Sequence, residues 1–242
     1  MKRLSLLLDE VAFIRSALKN KDFDPVQFGI LAETSGANGL VCTYFGKSNG
    51  ITERDLRLLK EIRKTFFSIR IPVQEDALRL VLSLSPDMVT FVEVTPTHPF
   101  SVQPIDTTLH LDTIQQMLPD LQANNIPVSV LIEPEINILK NVNKLEMDYV
   151  EIDVTGYTEA ENINDELLFL DKIKSATIAA VKLGMGVNCS GNISFEHISE
   201  LAKIPNLEDI IIGGQIVQRS IYVGVEKAVS EALQLIRHRE ID

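Results

Sequence analysis

Glu151 stands inside an otherwise apolar run, Tyr149-Val150-Glu151-Ile152-Asp153. In a strand, side chains two apart share a face, so Glu151 and Asp153 project together. A buried carboxylate needs a partner or takes up a proton. Arg70, in the apolar run Ser68–Val73, is a cation that could face it. The pair reads either as chemistry or as a structural ion pair. A second constellation is Asp209-Ile210-Ile211-Ile212-Gly213-Gly214-Gln215. Three β-branched residues make a buried strand, two glycines follow, and a long amphipathic helix begins soon after. Glycines let backbone amides approach an anion, and a helix N-terminus adds a favourable dipole. A phosphate is the ligand such a loop takes; a tight turn into a helix is the plainer reading.

The elements that must position these residues repeat along the chain. Strands are expected at Leu4–Asp9, Gly39–Phe45, Ser68–Val73, Met88–Val94, Val128–Ile132, Tyr149–Val154, Gly186–Cys189 and Glu208–Ile212. Helices are expected at Asp24–Ser35, Glu53–Phe66, Glu75–Ser83, Thr107–Asn124, Ile136–Leu145, Asp165–Leu183, Phe195–Ala202 and Ser220–Arg237. Asp24-Pro25 is a cap and first-turn pair, and Thr52 caps the next helix. The strands are mostly continuous apolar runs, as when both faces are covered. The expected architecture is α/β, a (β/α)8 TIM barrel with a parallel, closed eight-stranded sheet, one domain over residues 1–242.

In such a barrel the C-terminal strand ends line one mouth. Here they carry Asp9, Glu10, Thr43, Phe45, Arg70, Gln74, Glu93, Glu133, Glu135, Glu151, Asp153, Asn188, Ser190, Gly213 and Gly214. The rim is acidic. Crowded carboxylates raise one another's pKa values and suit general acid–base work, or a hard cation such as Mg2+. The alternative is that several, Glu133 and Glu135 especially, cap helices or face solvent. His110, His197 and His238 fall on helices, and His98 lies in the loop Thr95–Asp106. That loop is either a lid over the mouth or a variable surface loop.

The chain has 242 residues, 45% hydrophobic, with a net charge of −11. The acidity argues against a nucleic-acid groove and against an anionic membrane surface. No apolar run reaches spanning length, and the N-terminal apolar stretch ends at Asp9-Glu10 where a signal peptide needs small residues. Cys42 and Cys189 lie in strand-like runs and read as reduced thiols of a cytoplasmic protein. No zinc, P-loop, nucleophile-elbow or Rossmann spacing is present.

The chain resembles the pyridoxine 5′-phosphate synthase family. The likeness rests on Asp24-Pro25-Val26-Gln27, Ala32-Glu33, Gly36-Ala37-Asn38-Gly39, Ile51-Thr52-Glu53-Arg54-Asp55, Val128-Ser129, Val150-Glu151-Ile152, Thr155-Gly156, Gly186-Val187-Asn188 and Ile212-Gly213. It covers nearly the whole chain with few gaps. The resemblance implies a (β/α)8 barrel, an octamer, and no metal or organic cofactor. It implies condensation of 1-deoxyxylulose 5-phosphate with 3-amino-2-oxopropyl phosphate, with loss of phosphate and water.

The functional positions depart from that pattern. The family's opening Asn-x-Asp-His stands here as Leu7-Leu8-Asp9-Glu10, and its first-helix arginine falls on Leu18. Its His-x-Arg and following His become Thr43-Tyr44-Phe45 and Gly50, and its strand-three Glu becomes Arg70. Its lid Thr-Thr-Glu-Gly-Gly becomes Phe100-Ser101-Val102-Gln103-Pro104. Gly-His-Gly becomes Ser190-Gly191-Asn192, and Gly-His becomes Gly213-Gly214, while Glu151 and Gly213 are kept. Each step of the family chemistry needs a group that exchanges protons near neutral pH. The expectation is therefore a divergent barrel that binds a small phosphorylated molecule without making pyridoxine phosphate. Gly213, Gly214, Gly191 and Asn192 would form the phosphate cup, and Ser101 would close it. The alternatives are a working enzyme carried by Glu151, Asp9, Glu10 and Arg70, and a non-catalytic partner of an intact synthase.

Overall fold

The computed structural model describes residues 2–20, 22–46, 50–95 and 101–237. Strand β1 (Arg3–Leu7) leads into α1 (Asp9–Leu18) and α2 (Pro25–Thr34), followed by β2 (Gly39–Thr43). Next come α3 (Glu53–Ile62), β3 (Phe66–Ile71), α4 (Glu75–Leu84) and β4 (Met88–Phe91). A hairpin of β5 (Glu93–Thr95) and β6 (Ser101–Gln103) precedes α5 (Thr107–Ala123), β7 (Val128–Ile132) and α6 (Ile136–Val142). The chain continues through β8 (Tyr149–Asp153), the short α7 (Thr155–Thr158), α8 (Ile163–Lys182) and β9 (Gly186–Ser190). It closes with α9 (Phe195–Ala202), β10 (Leu207–Ile212), α10 (Gly214–Val223) and α11 (Val225–Arg237).

Strands β1, β10, β9, β8, β7, β4, β3 and β2, in that order, close into a barrel of parallel pairs. This is the expected (β/α)8 TIM barrel. Each strand alternates. On β3, Phe67, Ile69 and Ile71 join the core under the helices, while Ser68 and Arg70 are buried polar groups. On β8, Val150 and Ile152 face the helices and Glu151 does not. The strands are thus less continuously apolar than expected, because this lumen carries polar side chains. Ser5, Ser129, Asn188 and Asp209 are likewise buried polar residues.

The helix starts follow their caps. Asp24 accepts from the Val26 amide at 2.9 Å with Pro25 in the first turn. Thr52 and Asp55 form a reciprocal capping box, which satisfies two otherwise orphaned amides.

Four elements differ from expectation. Helix α1 begins at Asp9, where a strand end was expected; Leu8 offers no side-chain cap to announce it. Helix α3 stops at Ile62, because Phe66 pairs with Gly39 to start β3. The segment after β4 is a hairpin in which Glu93 faces Gln103 and Thr95 faces Ser101. Its residues 96–100, His98 among them, lie outside the described residues, as does His238. The closing helix is two helices, broken at Gly224 with φ +84°, a conformation that glycine adopts without strain. Among the described residues no helix is long and apolar enough to cross a membrane.

Candidate functional site at the barrel mouth

Register brings the expected residues to one level. Thr43 pairs with Arg70, and Asp153 pairs with Ser190. The C-terminal strand ends enclose a cavity of about 230 Å3. Asp9, Glu10, Arg70, Ser101, Gly191, Asn192, Gly213 and Gly214 all line it. Glu151 is absent from that lining and lies one step deeper. Its carboxylate holds the Arg70 guanidinium, and the Ser190 hydroxyl donates to its Oε1 at 2.5 Å. Both charges are almost fully withdrawn from water, with Arg70 2% and Glu151 1% exposed. Arg70 therefore reaches the cavity already neutralised by a partner.

The remaining charges at the mouth are carboxyls. Asp9 is buried and accepts from the Thr43 amide at 2.8 Å. Its pKa is pushed up to about 7, chiefly by burial and then by the charge of Glu10; Thr43 and Arg70 hold against the rise. Burial also raises Glu10, although Arg70 and the Gly214 amide favour its ionised form. Asp153 is raised by burial too, against hydrogen bonds from the Thr155 hydroxyl at 2.6 Å and the Thr155 amide at 3.2 Å. A carboxyl near neutrality can give and take a proton, which is the chemistry the arrangement can do.

The glycines sit where a helix N-terminus meets the cavity. Gly213 caps α10, and Gly214 is its first residue. A Cβ on Gly213 would lie 2.6 Å from Glu10 Oε2. That oxygen is buried and makes no hydrogen bond. At the end of the neighbouring strand β9, Gly191 has φ +130° and its carbonyl accepts from the Thr158 hydroxyl at 2.8 Å. A Cβ there would press on Asp153 and Thr155. The Asn192 amide group donates to Glu159 at 2.9 Å, so that end of its side chain is already engaged.

Other rim residues stay out of the cavity. Gln74, Glu133 and Glu135 are exposed, and Glu135 pairs with Lys172. Glu93 pairs with His110 at 2.6 Å, and His197 caps α9 through Ser194. Among the described residues no histidine lines the cavity, and no three His, Cys, Asp or Glu side chains gather to hold a metal. Phe13 was missed in the sequence. It stands edge-on to Phe45, ring centroids 5.5 Å apart, and forms the cavity's apolar wall. Only recognition of α1 would have found it.

Residues 4–238 match a family model described as pyridoxal phosphate biosynthesis protein PdxJ. The chain belongs to the PdxJ family. It is 32% identical to the pyridoxine 5′-phosphate synthase of Geotalea daltonii, over 98% of this chain and 100% of that one. It is 30% identical to the enzyme of the same name from Citrifermentans bemidjiense, with the same coverage. Among solved structures, KGPDC from Streptococcus mutans superposes with a TM-score of 0.65 at 9% identity, covering 98% of each chain. That likeness is one of barrel fold. Of the positions read above as departing from the PdxJ pattern, Glu10, Phe45, Arg70, Ser101, Asn192 and Gly214 line this one cavity.

Proposed function

We propose that this PdxJ-family barrel binds a small phosphorylated molecule at its C-terminal mouth. In this reading the phosphate takes the Gly213 and Gly214 amides at the start of α10. Gly191 and Asn192 flank it, and Ser101 closes over it. One observation carries the reading: an oxyanion already stands there, the Glu10 carboxylate in contact with Gly213 and Gly214. Bare amides at a helix N-terminus accept carboxylate and phosphate oxygens for the same electrostatic reason.

The family condensation is not retained in this reading. A mouth with no histidine among its described lining residues, whose arginine is already paired, offers less to two phosphorylated substrates than the family motif supplies. A second reading, an enzyme working through carboxyls, is favoured by Asp9, held near pKa 7. There Asp9 exchanges the proton, Glu10 assists, and Glu151 positions Arg70.

The test is calorimetric titration of the protein with inorganic phosphate and a simple phosphate monoester, beside Gly213→Leu. Binding to the native chain and its loss in the folded variant are expected. Equal binding by the variant removes the site from the glycines. A parallel assay with the two family substrates, an intact synthase as positive control, is expected to give no product. Turnover would restore the family reaction to this chain.

A further inference from the structure

Glu10 is placed oddly for a residue of an anion-binding mouth. It follows Asp9 in the first turn of α1, yet its side chain reaches across the barrel seam to the start of α10. Its Oε2 fills the space in front of Gly213, and its Cγ and Oε1 lie 3.5 Å from where a Gly214 Cβ would be. We propose that Glu10 is an internal plug of the phosphate subsite, and that a phosphate enters only as the Glu10 carboxylate leaves Gly213 and Gly214. The proposal rests on the phosphate reading and adds to it a gate belonging to this chain.

Two features make the plug releasable. Oε2 is buried without a hydrogen-bond partner, so backbone amides hold the carboxylate through its other oxygen only. Burial is the second feature, since it disfavours the ionised form. Asp9 on α1 and Asp153 on β8 are carboxyls on the same cavity, while Arg70 on β3 is shared with Glu151 of β8. Burial raises the Glu10 pKa, and the Gly214 amide and Arg70 oppose that. Protonation therefore weakens the plug's hold on the helix N-terminus, and acid should open the subsite.

The experiment titrates the full chain, Glu10→Ala and Glu10→Gln with sulfate near pH 6 and near pH 8, across which sulfate keeps its charge. Inorganic phosphate is titrated in parallel. At the higher pH, Glu10→Ala is expected to bind sulfate roughly tenfold tighter or better than the native chain, the shift of one unit in a binding logarithm. Glu10→Gln, which keeps the bulk and loses the charge, is expected between them. The native chain should tighten on acidification more than Glu10→Ala does, since Asp9 and Asp153 remain to take up protons in both; equal tightening in the two counts against the plug. Thermal unfolding checks that each variant is folded. Equal sulfate affinity in all three at the higher pH overturns the plug and leaves the phosphate reading standing. No binding of either anion by any of the three, at either pH, overturns the phosphate reading itself and the plug with it.

Discussion

Removing Glu151 should destabilise this barrel severely, and removing Arg70 together with it should restore most of the loss. With Glu151 1% and Arg70 2% exposed, water cannot replace either partner. Glu151→Ala leaves the Arg70 guanidinium charged, buried and unpaired; its Nε already has no hydrogen-bond partner. It also takes the acceptor from the Ser190 hydroxyl. Breaking one side of a buried pair costs about 3–5 kcal/mol. Replacing both charges by apolar groups of similar volume is often neutral, so Arg70→Met with Glu151→Leu should lie within about 1–2 kcal/mol of the native chain. Glu151→Leu and Arg70→Met alone close the cycle. Each single breaks the buried pair, so the two should sum to several kcal/mol more than the double, well above the few tenths expected for independent positions. Urea denaturation at fixed pH and salt measures the difference, with equal m-values as the check that each variant unfolds alike. A cost under about 1 kcal/mol for Glu151→Ala, or single effects that simply add, would refute the reasoning. Arg70 would then be a free cation at the mouth, and the charge balance drawn for the cavity would be wrong.

Other perturbations test neighbouring parts of the molecule. Asp9 holds its proton in the folded state up to about 7, whereas an unfolded aspartate releases it near 4. The unfolded state is therefore favoured progressively as pH rises through that window, by on the order of 4 kcal/mol in total, with no further change above it. Asp9→Asn keeps an acceptor for the Thr43 amide and should flatten that slope in urea midpoints taken across the window; an unchanged slope assigns the proton elsewhere. Asp55 is the opposite case. Burial disfavours its charge, but hydrogen bonds from Arg15 and Thr52 outweigh burial and lower its pKa. Its stabilisation is present at neutral pH and lost as pH falls below the ordinary aspartate range. Asp55→Ala removes both a capping box and a two-pronged Arg15 contact, at 2.7 and 3.0 Å. A loss of about 2–4 kcal/mol is expected at neutral pH and a smaller one in acid, by the same denaturation.

The barrel was legible because its signals are local and repeated. Val128–Ile132 and Phe195–Ala202 fall where their apolar periods put them, and Asp24-Pro25 and Thr52 start their helices. The missed elements lack such signals. Helix α1 follows β1 after the single residue Leu8, so Asp9 reads as the end of one element when it is the start of the next. The hairpin strands are three residues each, too short for alternation to register. At the mouth, strand-end logic found Asp9, Glu10, Arg70, Gly213 and Gly214, and residue chemistry found the Arg70–Glu151 pair. The seating of Glu10 on Gly213 was not legible. It depends on closure of β1 against β10, which joins the two ends of the chain and leaves no local pattern.

Closure also sets the terms on which a ligand can enter. The N-terminus of a helix offers about half a positive charge, and that of α10 already faces one carboxylate. Arg70 adds little more, because Glu151 neutralises it within the barrel. A phosphate dianion brought to the same place without compensation would meet Glu10 at contact distance and Asp9 and Asp153 around the same cavity. Like charges this close repel by several kcal/mol even with partial screening. Glu10 has to swing out, and carboxyls that take up protons ease the entry. Burial has already brought Asp9 to about 7 and raised Glu10 and Asp153. Proton uptake is therefore within reach near neutral pH, and a phosphate bound here should carry protons in with it. Calorimetry in buffers of different ionisation enthalpy reads that uptake directly. Binding with no proton uptake would leave movement of Glu10 as the whole of the adjustment.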